Sequence, residues 1–432
     1  MSREALTKEA LSIEPERAAY RTRVAAPVLT AVGLTIGFVG PHHQSGWVAL
    51  LVSTSLLIGF PAAGIAFSAI FQLTGARWGR AYRRLAEGSV ALMPVGLGGL
   101  LLLMLGGGWY LPWAHDHHLT GGKDVWLTRG FWDTRLLLAL ALSYGISLLY
   151  LYYSLRRDFC LSEVGERFGG RLGTFLGRDI SDREQERARC ESKLSFLSPL
   201  VLVIFALSFS LLGFDLVMAL EPDWFSTLFG AWYFMGHMFA GLALLAMVSV
   251  KLEGPMKLRR FFTETRRRDL ATVLFAFCLL NIDFFWSQYF TIWYANMPEE
   301  TLYVIARVHD TSLPWYRLSW LSLMAFFFLP FIALLFRRVK QSRLLLTVVA
   351  GVVVFGIFLA RFIEVAPALL SFTEETSHVA VLQPLLAAVL TFLGMLGVGW
   401  GLYRWLLTEI PVLPIGDEVF VTEYGAEPEP HE

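Results

Sequence analysis

Long apolar runs alternate along the chain with short polar, charge-rich stretches, and the runs have bilayer length. Ten of them hold the roughly 17–25 mainly apolar residues that a helical crossing needs. They span about 24–40, 46–71, 89–113, 133–154, 195–219, 225–250, 271–294, 317–336, 343–365 and 379–406. None has the short alternating pattern of barrel strands, so the sequence predicts an all-α, polytopic membrane protein with ten transmembrane helices. The chain then divides into a polar N-terminal segment (1–23), the ten-helix domain (24–406) and an acidic C-terminal tail (407–432).

Composition agrees. Charged residues make up 17% of the 432, against about 25% in soluble domains, and the mean hydropathy is +0.54. The formal net charge is zero, but the Lys and Arg residues are unevenly placed. With the N-terminus inside, the inner segments hold 30 of the 36: 5 in 1–23, 4 in 72–88, 9 in 155–194, 7 in 251–270, 4 in 337–343 and 1 beyond. The outer loops hold Lys123, Arg129, Arg307 and Arg317, while Arg135 and Arg361 lie within spans. The positive-inside rule therefore predicts that both termini are cytoplasmic. The first 23 residues are too polar for a cleaved signal peptide. The basic inner loop at 155–194 reads first as an orientation signal and second as a dock for a soluble partner. The tail is too short to fold alone and is expected to be disordered or laid along a neighbour.

Several function classes drop out. Cys160, Cys190 and Cys278 are scattered, without disulfide or iron–sulfur spacing. No nucleotide-binding loop or DNA-reading element occurs, so no nucleic acid partner is expected. His42, His43, His115, His117, His118, His309, His378 and His431 fall in loops or tails, leaving His237 alone deep within a span. A bis-histidine haem needs two buried imidazoles, so the chain is expected to bind no haem. The HDHH run at 115–118 reads as an exposed loop rather than a metal site, and no metal is expected.

The candidate chemistry lies in the sixth and seventh spans. His237 and Asp283 are each 12 residues from the start of their spans, roughly 18 Å deep at 1.5 Å per residue. They read either as a helix-joining hydrogen bond or as members of a proton relay. Tyr233 lies one turn outward of His237, and Ser287 and Gln288 lie outward of Asp283. Asp215, Glu221 and Asp223 cluster in the hairpin before them, so the set reads as a proton half-channel from mid-membrane to the outer surface. Asp133 and Arg135 open the fourth span, and Arg361 and Glu364 close the ninth. These four read as rim salt bridges or as polar groups of a quinone site. Towards the inside only Ser143, Tyr144 and Ser147 offer themselves, so the inner half is expected to be drier.

The stretches FDLVMALEPDWFSTLFGAWYF and FFWSQYFTIWYANMPEET resemble the signature segments of ActF, an NrfD/PsrC-like integral membrane subunit of alternative complex III. The resemblance extends over most of the ten-span core. It departs at Asp223, where the family often has His, and at Met297, where it often has Ile. It implies two four-helix bundles, spans 2–5 and 6–9, flanked by spans 1 and 10, in a bacterial inner (cytoplasmic) membrane. It further implies a redox-inactive, non-catalytic subunit of a quinol:cytochrome c (or other electron-carrier) oxidoreductase, structural and carrying a proton path. Quinol, haem c and iron–sulfur clusters would then belong to an ActC-like membrane subunit, an iron–sulfur subunit and cytochrome c subunits. A quinone-binding subunit is the alternative. A lone secondary transporter is disfavoured, because no paired Gly/Pro helix breaks are visible in two halves.

Overall fold

A computed structural model describes residues 3–15, 17–40, 43–115, 122–370 and 380–425. The side chains of the HDHH run, and His42, His378 and His431, lie outside the described residues. Ten helices among the described residues are long and apolar enough to cross a membrane. Spans 1 to 5 are Tyr20–Val39, Ser45–Leu73, Arg80–Tyr110, Arg129–Phe159 and Arg183–Leu220. Spans 6 to 10 are Phe229–Glu253, Glu264–Ala295, Pro314–Leu335, Arg343–Leu369 and Leu382–Glu409. Each falls on one of the ten apolar runs.

Several helices reach well beyond the apolar run because polar residues cap them. Span 5 starts at Arg183, where Asp182 accepts from the backbone N–H groups of Glu184 and Gln185. Span 7 starts at Glu264, with the Thr263 hydroxyl accepting from the Arg266 N–H. These turns project from the apolar slab and carry much of the basic charge.

Span 2 lies at the centre. It packs against spans 1, 3, 4, 5, 6, 9 and 10, and its apolar stretch is wholly buried, which suits a helix that is apolar all round. It is interrupted at Ile58, between helices Ser45–Leu57 and Gly59–Leu73. Pro61 causes the break: it has no N–H for the carbonyl of Leu57. Span 6, by contrast, is a continuous helix. Span 8 carries a π-helical turn, Met324–Phe328, just before Pro330. Spans 1 and 10 run along one another, where a Cβ on Gly33 would come within 2.5 Å of Thr391 Oγ1; the small residue permits the close approach.

The C-terminal segment departs from expectation. Its described part, to Gly425, folds onto the chain's own helices. Ile410, Val412, Leu413 and Ile415 are buried. In the helix that follows, Phe420 and Tyr424 lie against Phe261, with ring centroids 5.9 and 5.6 Å away. The apolar positions within this acidic stretch supply the adhesion. The N-terminal helix joins the same end of the molecule through Glu9 and Arg260, 2.7 Å apart.

Candidate functional site

His237 and Tyr233 stand one turn apart on span 6 and face the break in span 2. A Cβ on Gly59 would lie 1.8 Å from His237 Cδ2, so only glycine leaves room for the imidazole. His237 Nε2 is 2.7 Å from the Ser55 carbonyl oxygen, and Nδ1 is 2.9 Å from that of Tyr233. The Tyr233 hydroxyl also donates to Ser55, at 3.3 Å. Both imidazole nitrogens thus face acceptors. A neutral ring has one N–H and serves one of them, and a second proton would serve both.

From this buried imidazole a file of polar groups runs towards the hairpin after span 5. The Arg361 guanidinium lies 4.0 Å from the Tyr233 ring centroid. One turn further along span 9, Glu364 accepts from Arg361. Arg307 Nε donates to the Ile363 carbonyl at 3.1 Å and Nη2 to that of Glu364 at 3.4 Å, and Arg307 pairs with Glu221. Arg307 is also stacked on Tyr303, which in turn lies 3.7 Å from Trp224. Tyr303 lies between spans, and burial pushes its phenol up, further from ionisation. Arg361 and Glu364 are buried, while the Glu221 carboxyl is 30% exposed, so the file runs from the interior to the surface.

Buried atoms without a protein partner flank this file: Glu364 Oε1, Arg361 Nε, Gln288 Oε1, and both Oδ1 and Nδ2 of the fully buried Asn281. Such groups are uncommon in folded proteins and call for an explanation. Beside them opens a cavity of about 990 Å³, walled mainly by aromatic side chains, with Gln288, Arg307, His309, Ser319 and Glu364 among its polar lining.

The sequence-predicted residues distribute as follows. Glu221, Tyr233, His237, Arg361 and Glu364 lie on the file, and Gln288 lines the cavity. The Arg361–Glu364 pair forms as its spacing predicted, but inside the helix bundle rather than at a rim. Asp215 is sealed off: Arg135 Nη2 and Nε reach its two oxygens at 2.7 and 3.1 Å. The same guanidinium lies between Trp126 and Phe131. This clasp ties span 4 to span 5 and has no exposed carboxylate. Arg135 is therefore not the partner of Asp133, which pairs with Arg129 at 3.0 Å. Asp223 is exposed, 3.9 Å from Lys123. Ser287 is half-buried, and its carbonyl accepts from Thr291. Asp283 is exposed on the opposite face of span 7 and is not brought to His237. Tyr144 donates to the Ile58 carbonyl at 3.1 Å, at the break in span 2, and Ser147 donates to the Ser143 carbonyl at 2.7 Å.

The end that carries the basic loops is not dry, contrary to expectation. Arg80, Arg83, Arg84 and Glu87 share one face of the first turns of span 3, and all are buried. Glu87 accepts from Ser68 at 2.6 Å, Ser154 at 2.8 Å and Arg83 at 3.0 Å, and pairs with Arg84, which also bonds Asp158 at 2.5 Å. Asp417 closes this network from the C-terminal segment, within 2.8 Å of Arg80 and Arg83 and 3.0 Å of Arg157. Burial alone would raise the Asp417 pKa; the three guanidiniums, Arg157 foremost, outweigh it and hold the group well below the usual carboxylate range. The spacing of 80, 83, 84 and 87 was the available signal, but it read as a polar loop.

Among the described residues, no three His, Cys, Asp or Glu side chains are grouped so as to hold a metal ion. No family model matches the chain, and no curated protein matches it in sequence.

Proposed function

We propose that this chain is a redox-inactive membrane subunit of a quinol-oxidising electron-transport complex of the alternative complex III kind, and that it guides protons between mid-membrane and the face bearing Glu221. The observation that carries the reading is the buried file from His237 through Tyr233, Arg361, Glu364 and Arg307 to Glu221. Buried ionisable groups inside a membrane are costly and are the usual material of proton relays. His237 stands at the buried end of the file with both nitrogens on carbonyl oxygens; Glu364, with its free oxygen, is placed to pass a proton, and Glu221 to exchange it with water.

Contacts of span 2 with spans 3, 4 and 5 and of span 4 with span 5, and contacts joining spans 6, 7, 8 and 9 in a ring, support a two-bundle arrangement flanked by spans 1 and 10. The Lys and Arg bias supports cytoplasmic termini with Glu221 outside, and the resemblance to the alternative complex III subunit supports a bacterial inner membrane. In this reading an ActC-like subunit, an iron–sulfur subunit and cytochrome c subunits carry the redox chemistry.

The aromatic cavity favours a second reading, in which the chain itself binds a quinol. The ring would lie among the aromatic side chains, with Glu364, Gln288, Arg307 and His309 at its oxygens. Steady-state kinetics of Glu364→Gln in the assembled complex separate the two. A proton path predicts that kcat falls about tenfold with KM for quinol unchanged, whereas a quinol site predicts a raised KM. Unchanged kcat and KM would reject both.

A further inference from the structure

Span 7 buries one face against spans 6 and 8, through Leu274, Cys278, Asn281, Gln288 and Ile292. The opposite face is exposed, and towards its outer end Trp286, Phe290 and Trp293 also line the aromatic cavity. Ala276, Leu279, Asp283, Trp286, Phe290 and Trp293 are all exposed. They recur in alternating steps of three and four, the spacing of a helix–helix seam. Asp283 lies near the middle of the helix Glu264–Ala295, and no described residue bonds or pairs with its carboxylate.

A bare carboxyl group level with the bilayer centre is costly, and lipid tails offer it no donor. No described residue supplies that donor, which points to one outside the chain. We propose that this stripe is the docking seam for one transmembrane helix of another polypeptide, which presents a Lys, Arg or other hydrogen-bond donor level with Asp283. A second copy of the chain does not meet the requirement. Two-fold pairing about an axis normal to the membrane would set Asp283 against Asp283, acid against acid, at the same depth. The large apolar and aromatic side chains on either side supply the packing on which helix association in lipid depends. Asp283 itself lies on neither the proton file nor the cavity wall.

The test is a photo-crosslinking amino acid in place of Leu279, exposed one turn from Asp283 and off the cavity wall, in the full-length chain, irradiated in native membranes, with the adduct sequenced by mass spectrometry. The expected adduct is an apolar segment of another polypeptide with a basic or amide side chain near its middle. Asp283→Leu should lower its yield at least tenfold, and Asp283→Asn, which still hydrogen-bonds, should largely retain it. Because Asp283 is exposed and makes no hydrogen bond or ion pair with a described residue, the thermal unfolding of the purified Asp283→Leu chain should match the wild type. Adducts to lipid alone, adducts to a second copy, or equal yields from wild type and Asp283→Leu would overturn the proposal.

Discussion

His237 shows how much a single position depends on its neighbours. Its ring fits because residue 59 is glycine, and both of its nitrogens meet carbonyl oxygens. Gly59→Ala places a methyl group where the imidazole lies; we expect a loss of about 1–3 kcal/mol by overpacking, read as a lower unfolding temperature in detergent. Asp417 is the second such residue. Its folded pKa is depressed, so its contribution is complete above the ordinary Asp value of about 3.9 and is lost only as pH falls through the lower folded value. Asp417→Asn should remove that pH dependence. It should also cost about 3–5 kcal/mol, the range for breaking a buried pair, and limited proteolysis should cut the C-terminal segment faster. The sequence exposes only part of this. Arg361–Glu364 is legible because one helical turn sets the spacing. The Arg135–Asp215 clasp is not, because it depends on how spans 4 and 5 pack. Pairing His237 with Asp283 from depth alone ignored helix phase: Asp283 follows the buried Asn281 by two residues, or about 200° around the axis.

At the scale of elements, the apolar runs locate all ten helices but not their ends. Apolarity stops where the slab stops, whereas the hydrogen-bond ladder continues into the capped polar turns at Asp182 and Thr263. The break in span 2 was present in the sequence as Gly-Phe-Pro at 59–61, yet its role emerges only from the partner helix. Ser55, one turn before the break, carries the carbonyl that His237 and Tyr233 use. Pro61→Ala restores an N–H to the turn and lets the helix straighten. We expect unchanged or higher thermal stability together with lower turnover of the assembled complex. A fall in stability with normal turnover would show that the break serves packing instead.

The whole molecule is organised around the buried span 2, with basic loops and both described chain ends gathered at one end. The charge bias made the ten-span alternation legible, but the tail and its three arginine partners depend on residues more than 250 positions apart, which no local pattern reveals. Cysteines placed singly at Asp223 and at Arg338 should react with an impermeant maleimide from opposite sides of the membrane. The background should be low, because Cys160, Cys190 and Cys278 are buried. The central claim, that the file from His237 to Glu221 carries protons, is tested most directly by single-turnover proton release from the complex in liposomes, followed with a pH dye on the Glu221 side. The account predicts that Glu364→Gln slows release at least tenfold while electrons still reach the acceptor when the membrane is made proton-leaky. Release at the wild-type rate in that variant would contradict it.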